Sequence, residues 1–373
     1  MPGIKIFIML FGAALTAAIT SLVVNAAVIE INGPPQSVRV WQIEGKTFAF
    51  DPEQGVVDLD HEPAVVILRA QDGTSIGLSS DGRFAVQIER DGHRVTGVTR
   101  RDLLGQEVAV SIPLPVAPPV FEVSIAPVTG WVVGLTSKRP PTGPPLEPRL
   151  RLLWPASAVG PDRDVSGLQW TDDGRHLLLS QSKAGALLLG PDLTILSDVS
   201  NAALTTACRD GSILFHTIRG NPTDVAIEGG GMRVAALAGR EVVTALAVSP
   251  NGQYFAIARG GQIANAFFPF DRPLAPELVM DVPEQVAKLL VSDTGRVAAL
   301  FCREDPETPG RSIPTAARVS CLDGRILAYP MDRLAAAPSL PTMNWRQHGT
   351  IEVNAGARLI LLPVAEDEKG GKQ

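Results

Sequence analysis

The sequence has few charged residues, and its basic residues form no cluster. Asp, Glu, Lys and Arg together make up 19% of the 373 residues, and the formal net charge is -6. A protein that binds nucleic acid or an anionic membrane surface needs a basic face to neutralise phosphate groups. The composition therefore argues against a nucleic-acid partner and against adhesion to an anionic bilayer.

Long amphipathic helical patterns are nearly absent beyond the N-terminus, and so are the motifs of common cofactor sites. The chain contains no C-x-x-C-H for covalent haem, no P-loop and no G-x-G-x-x-G in a βαβ context. We therefore expect no cofactor. The chain has instead 35 glycines and 31 prolines, which predict many tight turns between short strands.

Cysteine is scarce, with only Cys208, Cys302 and Cys321 present. Cys302 ends one predicted strand, residues 297–302, and Cys321 ends the next, residues 317–321. The two could form a disulfide across a hairpin in an oxidising compartment. The alternative is that they are buried thiols, which pack as small hydrophobic residues. The sequence leaves both alternatives open for this pair and predicts a free, buried thiol for Cys208.

Residues 1–26 have the properties of a targeting segment. Lys5 is followed by an uncharged, largely apolar run from residue 6 to residue 24, and the sequence VNA at residues 24–26 offers small residues where a signal peptidase cleaves. The run is also long enough to span a bilayer. The segment is therefore either a cleaved signal peptide or an inner-membrane anchor that tethers the protein. In both cases we expect the bulk of the chain to be periplasmic or otherwise exported.

A short phrase of Asp or Asn followed closely by Gly recurs along the chain between two apolar runs. The clear copies are SSDGRFAV from residue 79, TDDGRHLL from residue 171, RDGSILF from residue 209, SPNGQYFAI from residue 249 and SDTGRVAAL from residue 292, with a looser copy, PVTGWVV, from residue 127. Asn-Gly and Asp-Gly tolerate the positive φ angles of a type I′ turn, so most copies predict a β-hairpin with that turn.

The spacing of these turns predicts the architecture. The turn glycines lie 37 to 48 residues apart, at Gly82, Gly130, Gly174, Gly211, Gly252 and Gly295. A repeat of about 40–45 residues that holds four short strands is one blade of a β-propeller. Helical solenoids share this period, but they require a 3.6-residue apolar pattern that these segments lack.

The sequence thus predicts an all-β fold, a single β-propeller over residues 27–365, followed by a disordered tail over residues 366–373. The stretches 28–60 and 345–362 are strand-like but lack a turn phrase. We expect them to combine into one blade, because closure by the two termini removes exposed strand edges. The count is then about seven four-stranded blades, with six or eight as alternatives.

The phrases SPNGQYFAIA at residues 249–258 and SSDGRFAV at residues 79–86 resemble the S-P-D-G-x-x-hydrophobic signature of WD40-like repeats of the TolB type. By period and turn phrase the resemblance covers about two thirds of the chain. It implies a propeller of a kind found in periplasmic scaffolds, in envelope complexes and as the gating domain of some peptidases. No functional residue carries over, because the signature contains only turn and core positions. The chain departs from the WD40 pattern in that no Trp-Asp dipeptide ends a blade.

Three motifs match the residue patterns of catalytic or metal sites, but the flanking sequence favours structural roles. They are GTSIG at residues 73–77, the calcium-loop-like stretch with Asp162, Asp164 and Asp173, and the acidic turn with Asp58, Asp60 and Glu62. A nucleophile elbow needs a helix after it, and a calcium loop ends on a bidentate Glu. We therefore assign no catalytic, cofactor-binding or metal-binding residue.

These observations favour a non-enzymatic extracytoplasmic scaffold over an enzyme. The propeller would bind a protein or a small ligand at one face, within an envelope or periplasmic assembly. The alternative is a periplasmic propeller enzyme of hydrolase, lactonase or dehydrogenase type, with its site in the central channel. Acidic or histidine side chains gathered at one mouth of the channel would favour the enzyme, and an apolar patch on one face would favour the scaffold.

The targeting segment leads to a first testable prediction. Fractionation of the source cells will place the protein outside the cytoplasm, because the apolar run directs export. Intact-mass measurement will show either a chain that begins at Ala27 or a full-length chain in the inner membrane. A soluble cytoplasmic protein that retains Met1 would contradict the prediction.

Overall fold

The computed structural model describes residues 27–30, 39–51, 54–105, 109–115, 117–136, 148–163, 165–181, 185–218, 221–229, 232–237, 240–267, 277–282, 284–321, 325–331, 342–345, 350–355 and 358–363. The targeting segment, residues 1–26, and the predicted tail, residues 366–373, lie outside the described residues. Within the ranges given, regular secondary structure consists of β-strands, and no helix there is long and apolar enough to cross a bilayer.

The described strands form eight four-stranded sheets. In seven of them four consecutive strands lie side by side in chain order, which is the arrangement of a propeller blade. We number the blades 1 to 8 along the chain. Blade 1 consists of β2 (Arg39–Ile43), β3 (Lys46–Asp51), β4 (Gly55–Asp58) and β5 (Val65–Arg69).

Two compact units divide the chain, and one of them comprises residues 42–48 and 52–238. It contains most of blade 1 and all of blades 2 to 5. Blade 2 consists of β6 (Thr74–Leu78), β7 (Phe84–Asp91), β8 (Arg94–Asp102) and β9 (Val110–Ile112); blade 3 of β10 (Val120–Ile125), β11 (Val132–Thr136), β12 (Arg149–Trp154) and β13 (Ala158–Val159); blade 4 of β14 (Gly167–Trp170), β15 (Leu177–Ser180), β16 (Gly185–Leu189) and β17 (Ile195–Ser200); and blade 5 of β18 (Ala202–Ala207), β19 (Ile213–Ile218), β20 (Asn221–Gly229) and β21 (Met232–Leu237).

The other unit comprises residues 1–41, 49–51 and 239–373, and it contains blades 6 to 8. Blade 6 consists of β22 (Val243–Val248), β23 (Tyr254–Arg259), β24 (Gln262–Phe267) and β25 (Glu277–Asp281); blade 7 of β26 (Gln285–Val291), β27 (Val297–Glu304), β28 (Ser312–Ser320) and β29 (Ile326–Pro330); and blade 8 of β30 (Thr342–Trp345), β31 (Thr350–Ala355), β32 (Arg358–Pro363) and β1 (Ala27–Glu30).

Blade 8 is built from both ends of the chain, as predicted. Its strand order is β1-β32-β31-β30. Strand β1 pairs antiparallel with β32, with Ala27 opposite Leu361 and Glu30 opposite Arg358. The ladder therefore joins the start of the described chain to its end, and it pairs an edge of the C-terminal hairpin that would otherwise be open.

The predicted count of seven blades is wrong, because the described residues form eight. The N-terminal stretch that was assigned to the closing blade contributes only β1 to it, and residues 39–69 form blade 1. The first hairpin of blade 1 turns at Glu44 and Gly45, which have φ angles of 48° and 81°. A Glu-Gly turn does not match the Asp-Gly phrase, so the count of repeated phrases did not include this blade. Val40, expected in the closing blade, is buried in β2 instead.

The repeated phrases form hairpin turns, as predicted, but the turns are not of type I′. In the first copy the Gly82 amide donates to the Ser79 carbonyl at 2.9 Å. Among the residues of this loop, 79–83, only Gly82 has a positive φ angle. This is a type I turn within a four-residue loop. Two side chains complete it, since Ser79 Oγ accepts from the Phe84 amide at 3.0 Å and Asp81 Oδ1 accepts from the Arg83 amide at 3.1 Å.

Side chains of these turns also link neighbouring blades. Asp81 Oδ2 in blade 2 accepts a hydrogen bond from the Val128 amide in blade 3 at 2.9 Å. Thr129 Oγ1 in blade 3 donates to the Gly174 carbonyl in blade 4 at 2.8 Å. The turn of one blade is therefore fixed to the turn of the next, in addition to the packing of their strands.

The core lies between adjacent blades. The second and third strands of the blades supply most of the buried side chains, and residues 84–86, 177–179 and 255–258 of second strands have almost no exposure. Five hydrophobic clusters of described residues each combine side chains from two consecutive blades, namely blades 2 and 3, 3 and 4, 4 and 5, 6 and 7, and 7 and 8. A sheet covered on both faces has continuously apolar inner strands, which explains runs such as residues 255–258.

Removal of the C-terminal strands will test the closing blade. A chain that ends after residue 341 lacks β30 to β32, so β1 loses its partner and the blade 7 side chains Ala298, Leu300 and Val319 lose the cover of Met343 and Val353. We expect it to aggregate or to lose cooperative unfolding, measured by light scattering and chemical denaturation. A control chain that ends after residue 365 should melt like the parent. A monomeric truncation with the melting curve of the parent would show that blade 8 is dispensable.

Substitution of Asp81 will test the links between turns. Asp81→Ala removes the acceptor for the Arg83 amide and for the Val128 amide of the next blade, so we expect the free energy of unfolding to fall by about 1–2 kcal/mol. Asp192→Ala is the matched control, because Asp192 accepts only local bonds from Thr194 in an exposed turn. Equal losses in the two variants, measured by denaturant titration, would mean that the link between blades contributes nothing.

Candidate functional site

The elbow-like motif lies on a strand and not at a strand-to-helix turn. Gly73 occupies the turn with φ 77°, and Ser75 lies in β6 opposite Ile88 of β7. A nucleophile elbow requires a helix directly after the serine, and β6 leads into the hairpin at Gly82 instead. The motif is therefore part of a hairpin, as expected.

The calcium-loop-like stretch does not gather its carboxylates in the described residues. Asp162 is exposed and forms an ion pair with Arg149, with Nε and Oδ1 2.9 Å apart, and Asp164 lies outside the described residues. Asp173 belongs to the next hairpin turn, where its Oδ1 accepts from Thr171 Oγ1 at 2.6 Å. Strand β14 separates the two positions. In the part of the chain that the structure describes, no three His, Cys, Asp or Glu side chains lie close enough to hold a metal ion.

The acidic turn after β4 uses its carboxylates to fix its own backbone. Asp58 Oδ1 accepts from the Asp60 amide at 3.0 Å, and Asp60 Oδ2 accepts from the Thr47 amide at 2.9 Å. His61 Nε2 lies 3.5 Å from Asp58 Oδ2. The cluster therefore stabilises the turn, which is the structural role that the sequence favoured.

The register of blade 7 separates Cys302 from Cys321, the pair for which the sequence left a disulfide and two buried thiols as alternatives. Cys302 lies opposite Pro314, and Ala298 lies opposite Val319. Cys321 follows two residues after Val319, so the cysteines are at opposite ends of the hairpin, roughly 20 Å apart at ~3.3 Å per residue. A disulfide needs Cα atoms within about 7 Å. All three cysteines are buried and none is in a disulfide in this structure, so the alternative of buried thiols applies.

Among the described residues, a groove between blades 4 and 5 is a candidate binding site. It has a volume of about 360 Å³, and we call it groove 4/5. Blade 4 contributes the ends of β16 and β17, and blade 5 contributes the turn at residues 210–212 and parts of β19 and β20. The hairpin turns at residues 190–194 and 208–212 lie next to it. They occur at the same ends of their blades, because one follows the third strand of blade 4 and the other follows the first strand of blade 5, and strands alternate in direction within each antiparallel blade.

A β-bulge presents two aliphatic side chains at the edge of this groove. Leu188 of β16 pairs with Ser197 and Leu189 pairs with Ile195, so Leu196 is an extra residue in β17. Side chains normally alternate between the faces of a strand, but a bulge interrupts the alternation. Ile195 and Leu196 are consequently both exposed, at 46% and 41%.

The floor of the groove continues into the core between the two blades. Leu188 and Leu214 line the groove, and both are almost fully buried. Leu214 packs in a cluster with Leu178, Ala186 and Val199. The aliphatic wall is therefore held by a packed core, which keeps its shape fixed without a ligand.

Asp210 supplies a fixed carboxylate on the blade 5 side. Its Oδ1 accepts from Cys208 Sγ at 3.0 Å and from the Ser212 amide at 3.0 Å. Burial alone would raise the pKa of Asp210, but the hydrogen bonds from Cys208 and Ser212 outweigh it, and the pKa is lowered. Burial raises the pKa of the Cys208 thiol, which keeps the donor protonated. Asp210 is therefore an anion near neutral pH.

Glu228 supplies the second carboxylate, at the base of the groove. It lies opposite Leu214 in the β19–β20 ladder, and it is 9% exposed. His216, two residues after Leu214, lies on the same face, and its Nε2 is 3.3 Å from Glu228 Oε1. His216 is itself only 1% exposed, and its Nδ1 has no hydrogen-bond partner among the described residues.

The groove combines aliphatic walls with two carboxylates. This arrangement can bind a ligand, and among the described lining residues no nucleophile is hydrogen-bonded to an activating base. Sequence reasoning missed the site. The adjacent Ile195 and Leu196 in an otherwise alternating strand were its only sequence signal, because the other lining residues come from a second blade.

Comparison with known proteins finds likeness at the level of the fold. No family model matches the chain, and no curated protein matches it. A chain in the complex of KlAtg21 with the coiled-coil of AgAtg16 is 12% identical, with a TM-score of 0.51, and the match covers 78% of this chain and 94% of that one. The β-propeller domain of Myceliophteria thermophila Cps50 (Swd1) is 15% identical, with a TM-score of 0.36, over 79% of this chain and 95% of that one.

The sheet topology defines the fold class, and the likeness to the solved chain with the TM-score of 0.51 agrees with it. Eight four-stranded blades with a shared terminal blade are those of a β-propeller. The chain therefore has a WD40-like β-propeller fold, as the turn phrases indicated. Because such a fold supports many unrelated functions, it does not by itself identify a partner.

Thiol labelling will test the assignment of the cysteines. We expect an alkylating reagent to label three cysteines per chain after denaturation without reductant, since no disulfide forms. The native protein should remain unlabelled near neutral pH, because burial raises the pKa of the Cys208 and Cys302 thiols and lowers their thiolate fraction. Mass spectrometry counts the labels. A single label in the unreduced, denatured protein, rising to three after reduction, would instead establish a disulfide.

Proposed function

We propose that this protein is an extracytoplasmic propeller scaffold that binds a partner protein at groove 4/5. The blades provide a rigid support, and the groove provides the contact surface. The export signal predicted in residues 1–26 supports the location, and an assembly at the cell envelope is the setting in which such a scaffold would act. The propeller fold is consistent with protein binding.

The observation that carries the proposal is the exposed pair Ile195 and Leu196 at the edge of a preformed concave site. Exposed aliphatic side chains next to a groove are typical of interaction sites. The bulge at Leu196 also disrupts the regular hydrogen-bonding edge of β17, and such bulges hinder the addition of another strand. The geometry therefore favours insertion of partner side chains over extension of the sheet.

The fold comparison agrees with a protein partner. The solved chain with the TM-score of 0.51 belongs to a complex that includes a coiled-coil of a second protein. A helical or extended segment that carries a protruding side chain fits the dimensions of groove 4/5. The comparison supports the class of partner and does not specify the segment.

Site-directed photo-crosslinking in the source cells will test the proposal. A photoreactive amino acid at position 196 should crosslink one specific protein, because Leu196 borders the groove. The control position is Val159, which is 74% exposed on the outer strand of blade 3 and does not line the groove. Mass spectrometry identifies the crosslinked protein, which is then purified for binding measurements.

The purified pair provides the decisive measurement. The double substitution Ile195→Ala and Leu196→Ala should weaken binding about tenfold or more, because it removes most of the apolar contact area at the groove edge. The melting temperature should stay close to that of the parent, since both side chains are exposed. Val159→Ala should leave affinity unchanged. Equal crosslinking at positions 159 and 196, or unchanged affinity of the double variant, would contradict the proposal.

A further inference from the structure

We infer that Val128 is a second contact point for the partner protein that binds at groove 4/5. The partner lies across the ends of blades 3 to 5 and places an apolar side chain against Val128. This inference rests on the proposed function and adds the direction in which the partner segment leaves the groove.

The backbone at Val128 has a conformation that disfavours valine. Its φ angle is 58°, and the Thr129 amide donates a hydrogen bond across it to the Pro127 carbonyl. A bond from residue i+2 to residue i around a positive φ angle is the rare and strained form of the γ-turn. A β-branched residue with a positive φ angle is a steric outlier, and glycine would fit the same position without that strain.

The two neighbouring blades hold this strained turn in place. Asp81 Oδ2 in blade 2 accepts from the Val128 amide at 2.9 Å. Thr129 Oγ1 donates to the Gly174 carbonyl in blade 4 at 2.8 Å, and a Cβ atom on Gly174 would lie only 1.8 Å from the Pro127 carbonyl oxygen. Strained residues persist where the surrounding structure fixes them in this way, and they cluster at functional sites.

The side chain of Val128 contributes little to the fold in return. It is 54% exposed, and it belongs neither to the hydrophobic cluster between blades 2 and 3 nor to the one between blades 3 and 4. In the other copies of the turn phrase the same position holds a polar residue or proline, namely Ser80, Asp172, Arg209, Pro250 and Asp293. We therefore attribute the valine to a contact outside the chain.

The turns of blades 3, 4 and 5 form a continuous row that joins Val128 to groove 4/5. Thr129 of blade 3 is bonded to Gly174 of blade 4. His176 of blade 4 packs on the turn of blade 5, because a Cβ atom on Gly211 would lie 2.9 Å from its ring, and Gly211 lines the groove. Each of these turns follows the first strand of its blade, so the three turns lie at the same ends of their blades.

The separation of the two contact points sets the size of the partner segment. Packed sheets lie about 10 Å apart, so Val128 in blade 3 is roughly 15 Å from the groove between blades 4 and 5. A helix covers that distance with about ten residues, and an extended segment covers it with about five. One continuous segment of the partner therefore reaches both points. Its contact with Val128 is apolar, because a valine side chain offers no hydrogen bond.

Photo-crosslinking at position 128 will test the inference. A photoreactive amino acid there should crosslink the same protein as one at position 196, and mass spectrometry should place the two attachment sites within about 15 residues of each other. Position 242 is the control, because Val242 is 53% exposed and precedes the first strand of blade 6, at the end of that blade away from its turn phrase. No crosslink to that protein should form from position 242.

Three variants separate the contact from the strain, with the protein captured at position 196 as the purified binding partner. Val128→Ala removes two methyl groups from the contact, so affinity should fall about fivefold. Val128→Gly should weaken binding at least as much, yet its denaturation midpoint should rise, because relief of the strained φ angle exceeds the added freedom of glycine in the unfolded chain. Val242→Ala, the matched control, should leave affinity unchanged.

The outcomes separate this inference from the proposed function. Capture of a protein at position 196 but not at position 128, or unchanged affinity in Val128→Ala and Val128→Gly, would overturn the second contact and leave binding at the groove in place. A larger loss of stability in Val128→Ala than in Val242→Ala would also overturn it, because the side chain would then serve the fold. Failure to capture any protein at position 196 would overturn the proposed function itself, and this inference with it.

Discussion

Burial of each blade's inner strands on both faces is the constraint on which the rest of the structure depends. Residues such as Ala256, Ala258 and Leu300 have almost no exposure, and the hydrophobic clusters that contain them combine two consecutive blades. A single four-stranded sheet therefore cannot bury its own apolar faces. Blades are stable only as neighbours, and the last blade must recruit β1 to pair the open edge of β32.

The repeated hairpin turn adds a second, directional constraint. Apolar packing is not directional, whereas the bond from the Asn251 amide to Asp293 Oδ1, at 2.7 Å, joins the turns of blades 6 and 7 at a defined position. Between blades 2 and 3 the direction is reversed, because the Val128 amide of blade 3 donates to Asp81 Oδ2 of blade 2. Cys208 occupies the position that Ser79 and Thr171 hold in other copies, and its thiol still donates to the aspartate two residues later. The turn thus tolerates exchange of the side-chain donor when its hydrogen-bond geometry is kept.

Groove 4/5 arises where these constraints relax. The outermost strand of a blade has fewer neighbours than the inner strands, so an extra residue at Leu196 is accommodated without disturbing the core cluster beneath it. That bulge exposes Ile195 as well, and the neighbouring turn places Asp210 across the groove. The scaffold and its proposed contact surface therefore use the same elements. The inner strands provide a rigid support, and the outer strand and the turn provide the side chains that line the groove.

The sequence by itself determined the all-β class, the blade-sized repeat, the hairpins at the repeated phrases and the terminal blade, because each depends on local turn chemistry or on apolar runs. It did not determine the eighth blade, since the turn at Gly45 follows a glutamate and lacks the repeated phrase. Only tertiary structure decided the separation of Cys302 from Cys321, because strand register sets that distance. It alone assembled groove 4/5, because Ile195 and Glu228 belong to different blades. Local patterns specify strands and turns, whereas register, bulges and contacts between blades depend on packing among residues distant in the chain.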